Sequence, residues 1–361
     1  MTRLCYCTNV HPAEDLDGIL RQLDSYAVPV REKLGVPRLG LGLWLAAEVA
    51  AGLASSPDAL RKFRAELDAR GLDVITMNAF PYGGFHADVV KLSVYEPRWT
   101  DQRRLKYTVD CVRVLSELLP DNAAYGSIST LPLGWREPWT AADDAAALES
   151  LTELTRTLRS APRLIKLAVE PEPGCILDTV ADTVAWLAPR VDPEYIGLCL
   201  DTCHLAVSFA DPMAAVRSIE DAGLEIVKVQ ASAALHVDDP RAALAELREF
   251  AEPRYLHQVR ELSPDGTVLK ADDLPEALET LPGDGPWRVH FHVPLHAAPE
   301  PPLRSTNDVL TEVLNTVSSD RTIEVETYTW QVLPDRHQQD LVDGIAAELA
   351  WADGRLRLEV P

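Results

Sequence analysis

Short apolar runs alternate along the chain with longer amphipathic stretches, and most of the runs stop at a polar residue. Runs at 4–9, 39–45, 74–80, 124–130, 164–170, 196–201, 225–230 and 323–327 have the length and near-continuous hydrophobicity of strands buried on both faces. The stretches at 15–34, 61–70, 101–119, 141–160, 179–187, 211–222, 306–317 and 340–352 read as helices, the first with Leu20, Leu23 and Val28 on its apolar side. Ser56-Pro57-Asp58 and Asp211-Pro212 place a capping side chain before a proline, a helix-start signal, and Gly71 marks a helix end.

Strands that alternate with helical spacers of this length form a parallel sheet, because each crossover must return the chain to the same edge. At 361 residues the pattern fits one α/β domain, 1–361, folded as a (β/α)8 barrel. Residues 236–300 break the alternation: 240–250 and 272–281 are helical, 255–259 and 287–293 are strand-like, and Pro264-Asp265-Gly266-Thr267 is a turn. More strands result than a barrel can use, so this region is expected to elaborate the seventh βα segment.

The formal charge of −22 is spread along the chain, which disfavours phosphate backbones and anionic membranes. Nucleic acid is therefore not an expected partner. Six cysteines sit mostly in apolar runs without zinc-ribbon or disulfide-framework spacing, and read as reduced thiols. With no signal-peptide core and no run of about 18 apolar residues, the expectation is a cytoplasmic protein with no membrane insertion; an oligomer is allowed.

The candidate chemistry lies where the strands end. A barrel gathers such residues at one mouth, here Glu170, Asp201, His204, Gln230, His292 and Glu326. Carboxylates brought together repel and resist ionisation unless a cation joins them; mixed oxygen and imidazole donors suit manganese, zinc, iron or cobalt better than calcium. His11, Asn78 and His86 also fall at strand ends, and the turn-rich 81–86 segment is shaped to hold a ligand. Plainer readings stand beside these. Strand-end acids can cap helices, Gln230 can satisfy buried backbone groups, and His204, His257 and His290 can be structural. Glu172 and Glu324 alternate with the chosen acids and are expected to support them or to be solvated, and Cys199 and Cys203 to pack as small apolar groups.

The runs Ala168-Val169-Glu170-Pro171, Leu198-Cys199-Leu200-Asp201-Thr202-Cys203-His204 and Ile323-Glu324-Val325-Glu326-Thr327 resemble the xylose isomerase-like TIM barrels, a superfamily that includes ketose 3-epimerases, sugar phosphate isomerases and endonuclease IV. Lys228-Val229-Gln230-Ala231-Ser232, Tyr255-Leu256-His257-Gln258-Val259 and His290-Phe291-His292-Val293-Pro294 make the chain most similar to EboE-type metabolite-traffic proteins. The resemblance implies a divalent metal on Glu170, Asp201 and Glu326, with Glu170 and Glu326 also moving a substrate proton as bases. It departs at the imidazole: strand seven offers Gln230 or Lys228 where relatives have histidine, and either Gln230 or His292 completes the site. His11, Asn78, His86, His204 and His257 are the expected substrate contacts.

The implied activity is isomerisation or epimerisation of a sugar- or cyclitol-like metabolite, in the setting of a biosynthetic gene cluster. The alternatives are a non-catalytic metabolite-binding or traffic protein on the same barrel, a metal-assisted hydrolase or lyase, and an endonuclease IV-like hydrolase. The charge opposes the last.

Overall fold

The computed structural model describes residues 3–297, 299–318 and 320–357; the ends of the expected 1–361 span and Ala298 in the expected insertion lie outside them. Eight parallel strands close into a barrel: β1 Arg3–Cys7, β2 Leu39–Trp44, β3 Leu72–Asn78, β4 Gly126–Thr130, β5 Ile165–Val169, β6 Ile196–Asp201, β7 Ile226–Ala231 and, last in the chain, β13 Thr322–Val325. The ring closes where β1 pairs with both β2 and β13. All eight strand expectations fall on barrel strands.

The remaining strands, β8 Leu235–Val237, β9 Val259–Leu262, β10 Val268–Ala271, β11 Trp287–Val289 and β12 Leu303–Ser305, form a separate sheet in the order β10-β9-β11-β8-β12, with antiparallel pairs. This sheet is the expected elaboration between β7 and β13. Its internal details differ from expectation: 255–258 lies outside β9, and 290–293 leaves the sheet as irregular chain after β11. That departure matters, because it frees His290 and His292 to turn toward the barrel.

Helix ends follow the local chemistry. Ser56 and Asp211 cap helices Pro57–Ala69 and Pro212–Asp221, each with proline in the first turn. Thr140 and Thr179 form reciprocal capping boxes with Asp143 and Asp182. The 15–34 helix is interrupted by a wider turn at Leu23–Ala27, and an alanine-rich helix at Ala47–Ser55 was not signalled by any apolar spacing.

The apolar core lies between barrel and helices, where Leu41, Ile128, Leu167, Leu198, Leu200, Val229 and Ile323 are buried. The inside of the barrel is polar. Thr76, Ser127, Ser129, Lys228, Gln230 and Glu324 are fully buried. Ser127 donates to Thr76 at 2.7 Å, Lys228 donates to Ser129 at 3.0 Å, and Lys228 pairs with Glu324. Gly42 makes room for that carboxylate: a Cβ there would lie 1.3 Å from Glu324 Oε1. No helix among the described residues is long and apolar enough to cross a membrane.

Candidate functional site

Three acids converge at the mouth from the ends of three barrel strands. Glu170 follows β5, Asp201 ends β6 and Glu326 follows β13; one oxygen of each lies within 4.8 Å of the others, and all three residues are buried. Asp201 does two jobs at once. Its Oδ1 accepts from the His204 amide and from Ser232 Oγ, both at 2.8 Å, capping the short helix Thr202–Val207. Its Oδ2 is buried with no partner. The capping reading of this acid holds for Oδ1, while Oδ2 remains available beside the other acids.

Glu326 is held from three sides. Asn9 and Asn78 donate amide hydrogens to Oε1 at 2.7 and 3.0 Å, and Gln230 donates to Oε2 at 2.5 Å. Gln230 Oε1 accepts from the Cys199 thiol at 3.4 Å, so the amide turns its nitrogen, not its oxygen, to the acids. Gln230 therefore orients Glu326. The imidazole comes from the insertion: His292 donates Nδ1–H to the Glu326 carbonyl at 2.8 Å, and its Nε2 is buried and unpartnered. One ligand atom each of Asp201, His204 and His292 lies within 4.8 Å of the others.

Glu170 Oε2, Asp201 Oδ2 and His292 Nε2 are all acceptors without a donor in a buried site. Unpaired buried acceptors are costly, and a cation at the mouth would satisfy the set. The electrostatics agree. Burial, then the charges of Glu326 and Asp201, push the Glu170 carboxyl well above its usual range. Burial pushes Glu172 up to about 7, with His204 and Tyr95 opposing. Burial also lowers His292, and Asp201 and Glu326 offset this only in part.

A cavity opens beside these groups, lined by Asn9, Asn78, Glu170, Glu172, His204, His290, His292 and Glu326 together with aromatic side chains. Phe85, Tyr255 and Tyr328 pack on one another with ring centroids 4.9–5.6 Å apart. The one cationic side chain in the lining, Lys91, is committed to the Tyr255 carbonyl and to Asp273.

Of the expected contact residues, Asn78 and His204 line this cavity and His11, His86 and His257 do not. His11 stacks on Tyr26 and bonds Tyr6, His86 bonds the Asn9 carbonyl, and both ring nitrogens of His257 are taken, by the His290 carbonyl and Glu252. One nitrogen of His11, one of His86 and both of His257 are tied to the scaffold. Asn9, Glu172 and His290 were not singled out as ligand contacts. Asn9 ends the first apolar run, which was the available signal for it. Glu172 is turned inward onto the Tyr95 hydroxyl, and His290 depends on the path of the insertion.

Residues 40–293 match the profile of a family described as "Xylose isomerase-like TIM barrel". No curated protein matches the chain. Among solved structures, the IOLI protein with a bound zinc atom is 12% identical, with TM-score 0.55 and 99% of each chain covered. A xylose isomerase-like TIM barrel protein from Mycobacterium smegmatis in complex with magnesium is 13% identical, with TM-score 0.55 and 99% and 96% covered. D-Allulose 3-epimerase from Methylomonas sp. in complex with D-allulose is 11% identical, with TM-score 0.55 and 98% and 97% covered. At these identities the likeness is one of fold.

Proposed function

Because the chain belongs to the xylose isomerase-like TIM barrel family, we propose that it is a divalent-metal-dependent isomerase or epimerase of an uncharged, sugar- or cyclitol-like metabolite. The observation that carries this reading is the set of buried, donorless acceptors on Glu170, Asp201 and His292, beside the anchored carboxylate of Glu326. These four residues would hold the metal, with His292 rather than Gln230 as the fourth ligand. Solved structures of the same fold with zinc, magnesium and D-allulose support the same chemistry.

A bound divalent ion supplies Lewis-acid polarisation of a substrate carbonyl, which makes the neighbouring C–H acidic. Glu170 and Glu326 face the cavity from different strands and are placed to remove and return that proton. Asn9 and Asn78 hold Glu326 in position, and their amides border the same space where hydroxyl groups would lie. Phe80, Tyr95 and Tyr328 offer ring faces to the C–H surfaces of a polyol. With Lys91 already paired, no lysine or arginine among the described lining residues is free for a phosphate, which favours an unphosphorylated substrate. The resemblance of 228–232, 255–259 and 290–294 to EboE-type proteins supports a role for this chemistry in small-metabolite biosynthesis.

The test is exchange of substrate C–H with solvent deuterium, followed by NMR over a panel of ketoses and inosose-type cyclitols with manganese or zinc. The reading expects metal-dependent exchange, abolished in Glu170→Gln and Glu326→Gln. Equal exchange in both variants would remove the glutamates from their role as bases.

A further inference from the structure

We propose that the barrel mouth carries a second divalent-cation site, formed by Nε2 of His204, Nε2 of His290 and Oε2 of Glu172. It lies beside the site on Glu170, Asp201, His292 and Glu326 and shares no ligand with it. The proposal deepens the metal-dependent reading but rests on its own geometry.

The argument begins with the tautomers. His204 Nδ1 lies 2.7 Å from the Pro171 carbonyl, which can only accept, so Nδ1 carries the hydrogen. His290 Nδ1 lies 2.7 Å from Gln258 Oε1. The orientation of that amide is fixed, because Gln258 Nε2 donates at 2.8 Å to the Pro173 carbonyl. His290 Nδ1 therefore carries its hydrogen as well. With the two Nδ1 atoms turned to Pro171 and Gln258, the two Nε2 atoms face each other at 3.1 Å with the ring planes 85° apart.

The carboxylate completes a triangle. Glu172 Oε2 lies 3.1 Å from His204 Nε2. Its other oxygen accepts from the Tyr95 hydroxyl at 2.8 Å, and that hydroxyl accepts from Gln258 Nε2 at 2.9 Å. One chain of hydrogen bonds, from Gln258 through Tyr95 to Glu172, thus sets both the carboxylate and the His290 ring. One ligand atom from each of Glu172, His204 and His290 lies within 4.8 Å of the others, and all three residues are buried.

Three acceptors aimed at one another in a buried space repel unless positive charge joins them. His204 Nε2 lies 3.1 Å from both His290 Nε2 and Glu172 Oε2, so a proton on it can serve the set, and a divalent ion would take that proton's place. A tetrahedral ion with bonds of about 2.0–2.1 Å sets its ligand atoms roughly 3.3 Å apart, close to these two separations. The two-imidazole, one-carboxylate set suits zinc and leaves the fourth position open. That position faces the cavity, since all three ligands line it. It would take a water or a substrate hydroxyl. The backbone and amide partners of the two Nδ1 atoms are the supports that histidine ligands use to fix ring orientation.

The experiment is zinc stoichiometry of tag-free protein, loaded and then dialysed against excess magnesium to clear the acidic surface. Wild type is expected to hold two zinc ions per chain. His290→Gln and Glu172→Gln should each hold one, and Glu326→Gln should keep the ion on His204, His290 and Glu172. Anomalous diffraction from zinc-loaded wild-type crystals gives the same answer if a variant fails to fold: two peaks, one between His204 and His290. One zinc in wild type, kept in His290→Gln and lost in Glu326→Gln, overturns the second site and leaves the first. One zinc lost in His290→Gln alone supports the second site and overturns the first. No zinc overturns both.

Discussion

His292 donates its Nδ1 hydrogen to the main-chain carbonyl of Glu326 at 2.8 Å, so an imidazole carried by the insertion is locked to the last barrel strand end. The bond leaves Nε2 free and aims the ring at the acids. On the proposed assignment this imidazole takes the place of the strand-seven histidine. His292→Ala is expected to weaken zinc binding by on the order of 100-fold, while Gln230→Leu, which only frees Glu326, should weaken it about tenfold. Calorimetric titration checks both, and the reverse ranking would return the ligand role to Gln230.

Loading the site should release protons. Burial and the charges of Glu326 and Asp201 hold the Glu170 carboxyl well above its usual range in the metal-free protein, so it keeps its proton there and gives it up to the metal. Affinity is therefore expected to rise with pH, and to rise less steeply in Glu170→Gln. Titration in buffers of different ionisation enthalpy measures the protons released; none released would contradict the assignment of Glu170.

Below the site, Lys228 and Glu324 pair inside the barrel with no exposed surface. Lys228→Met leaves a buried carboxylate and should cost about 3–5 kcal/mol, much of it recovered when Glu324→Leu is added. Gly42→Ala places a methyl group where the Glu324 carboxylate lies and should destabilise the fold to a similar degree. Denaturant melts of the three variants and the double variant test this, and additive losses in the double variant would show that the pair is not coupled.

Stability should also report on Glu348, which accepts from the Leu295 amide and the Thr327 hydroxyl and so ties the insertion to the closing helix. Burial pushes its carboxyl from 4.5 up to about 7, with Thr327 and Leu295 opposing. An acid raised in the folded state contributes fully below its unfolded value and loses that contribution as pH rises through its folded value. Relative to wild type, Glu348→Gln should therefore be more stable at pH 8, by up to about 3 kcal/mol, with the gain fading toward pH 4.5. A gain that instead grows as pH falls would show the carboxylate to be favoured in the fold.

The contrast between Asp201 and His292 shows how far the sequence could be read. Asp201, Glu170 and Glu326 sit directly at the ends of apolar runs, and a parallel barrel sends such ends to one mouth whatever the loops do. The choice between Gln230 and His292 could not be made in that way, because it depends on the chain leaving the inserted sheet at residue 290. His11 and His86 satisfy the same positional rule as Asn78, yet ring stacking and neighbouring polar partners hold them in the scaffold. Position selects candidates, and only their hydrogen bonds decide which acceptors are left over.

The most direct test of the central claim is the zinc or manganese affinity of wild type against the isosteric double variant Glu170→Gln/Asp201→Asn, with thermal melts of both in chelator. Asn at 201 keeps an oxygen to cap the following helix, so folding is preserved while the charges that hold a cation are removed. The account predicts tight binding in wild type, a loss of at least ~100-fold in the variant, and a chelated melting temperature that is unchanged or higher because like charges are gone. Equal metal affinity in the two proteins, or no binding by wild type, would contradict it and leave the acids as structural groups of the barrel.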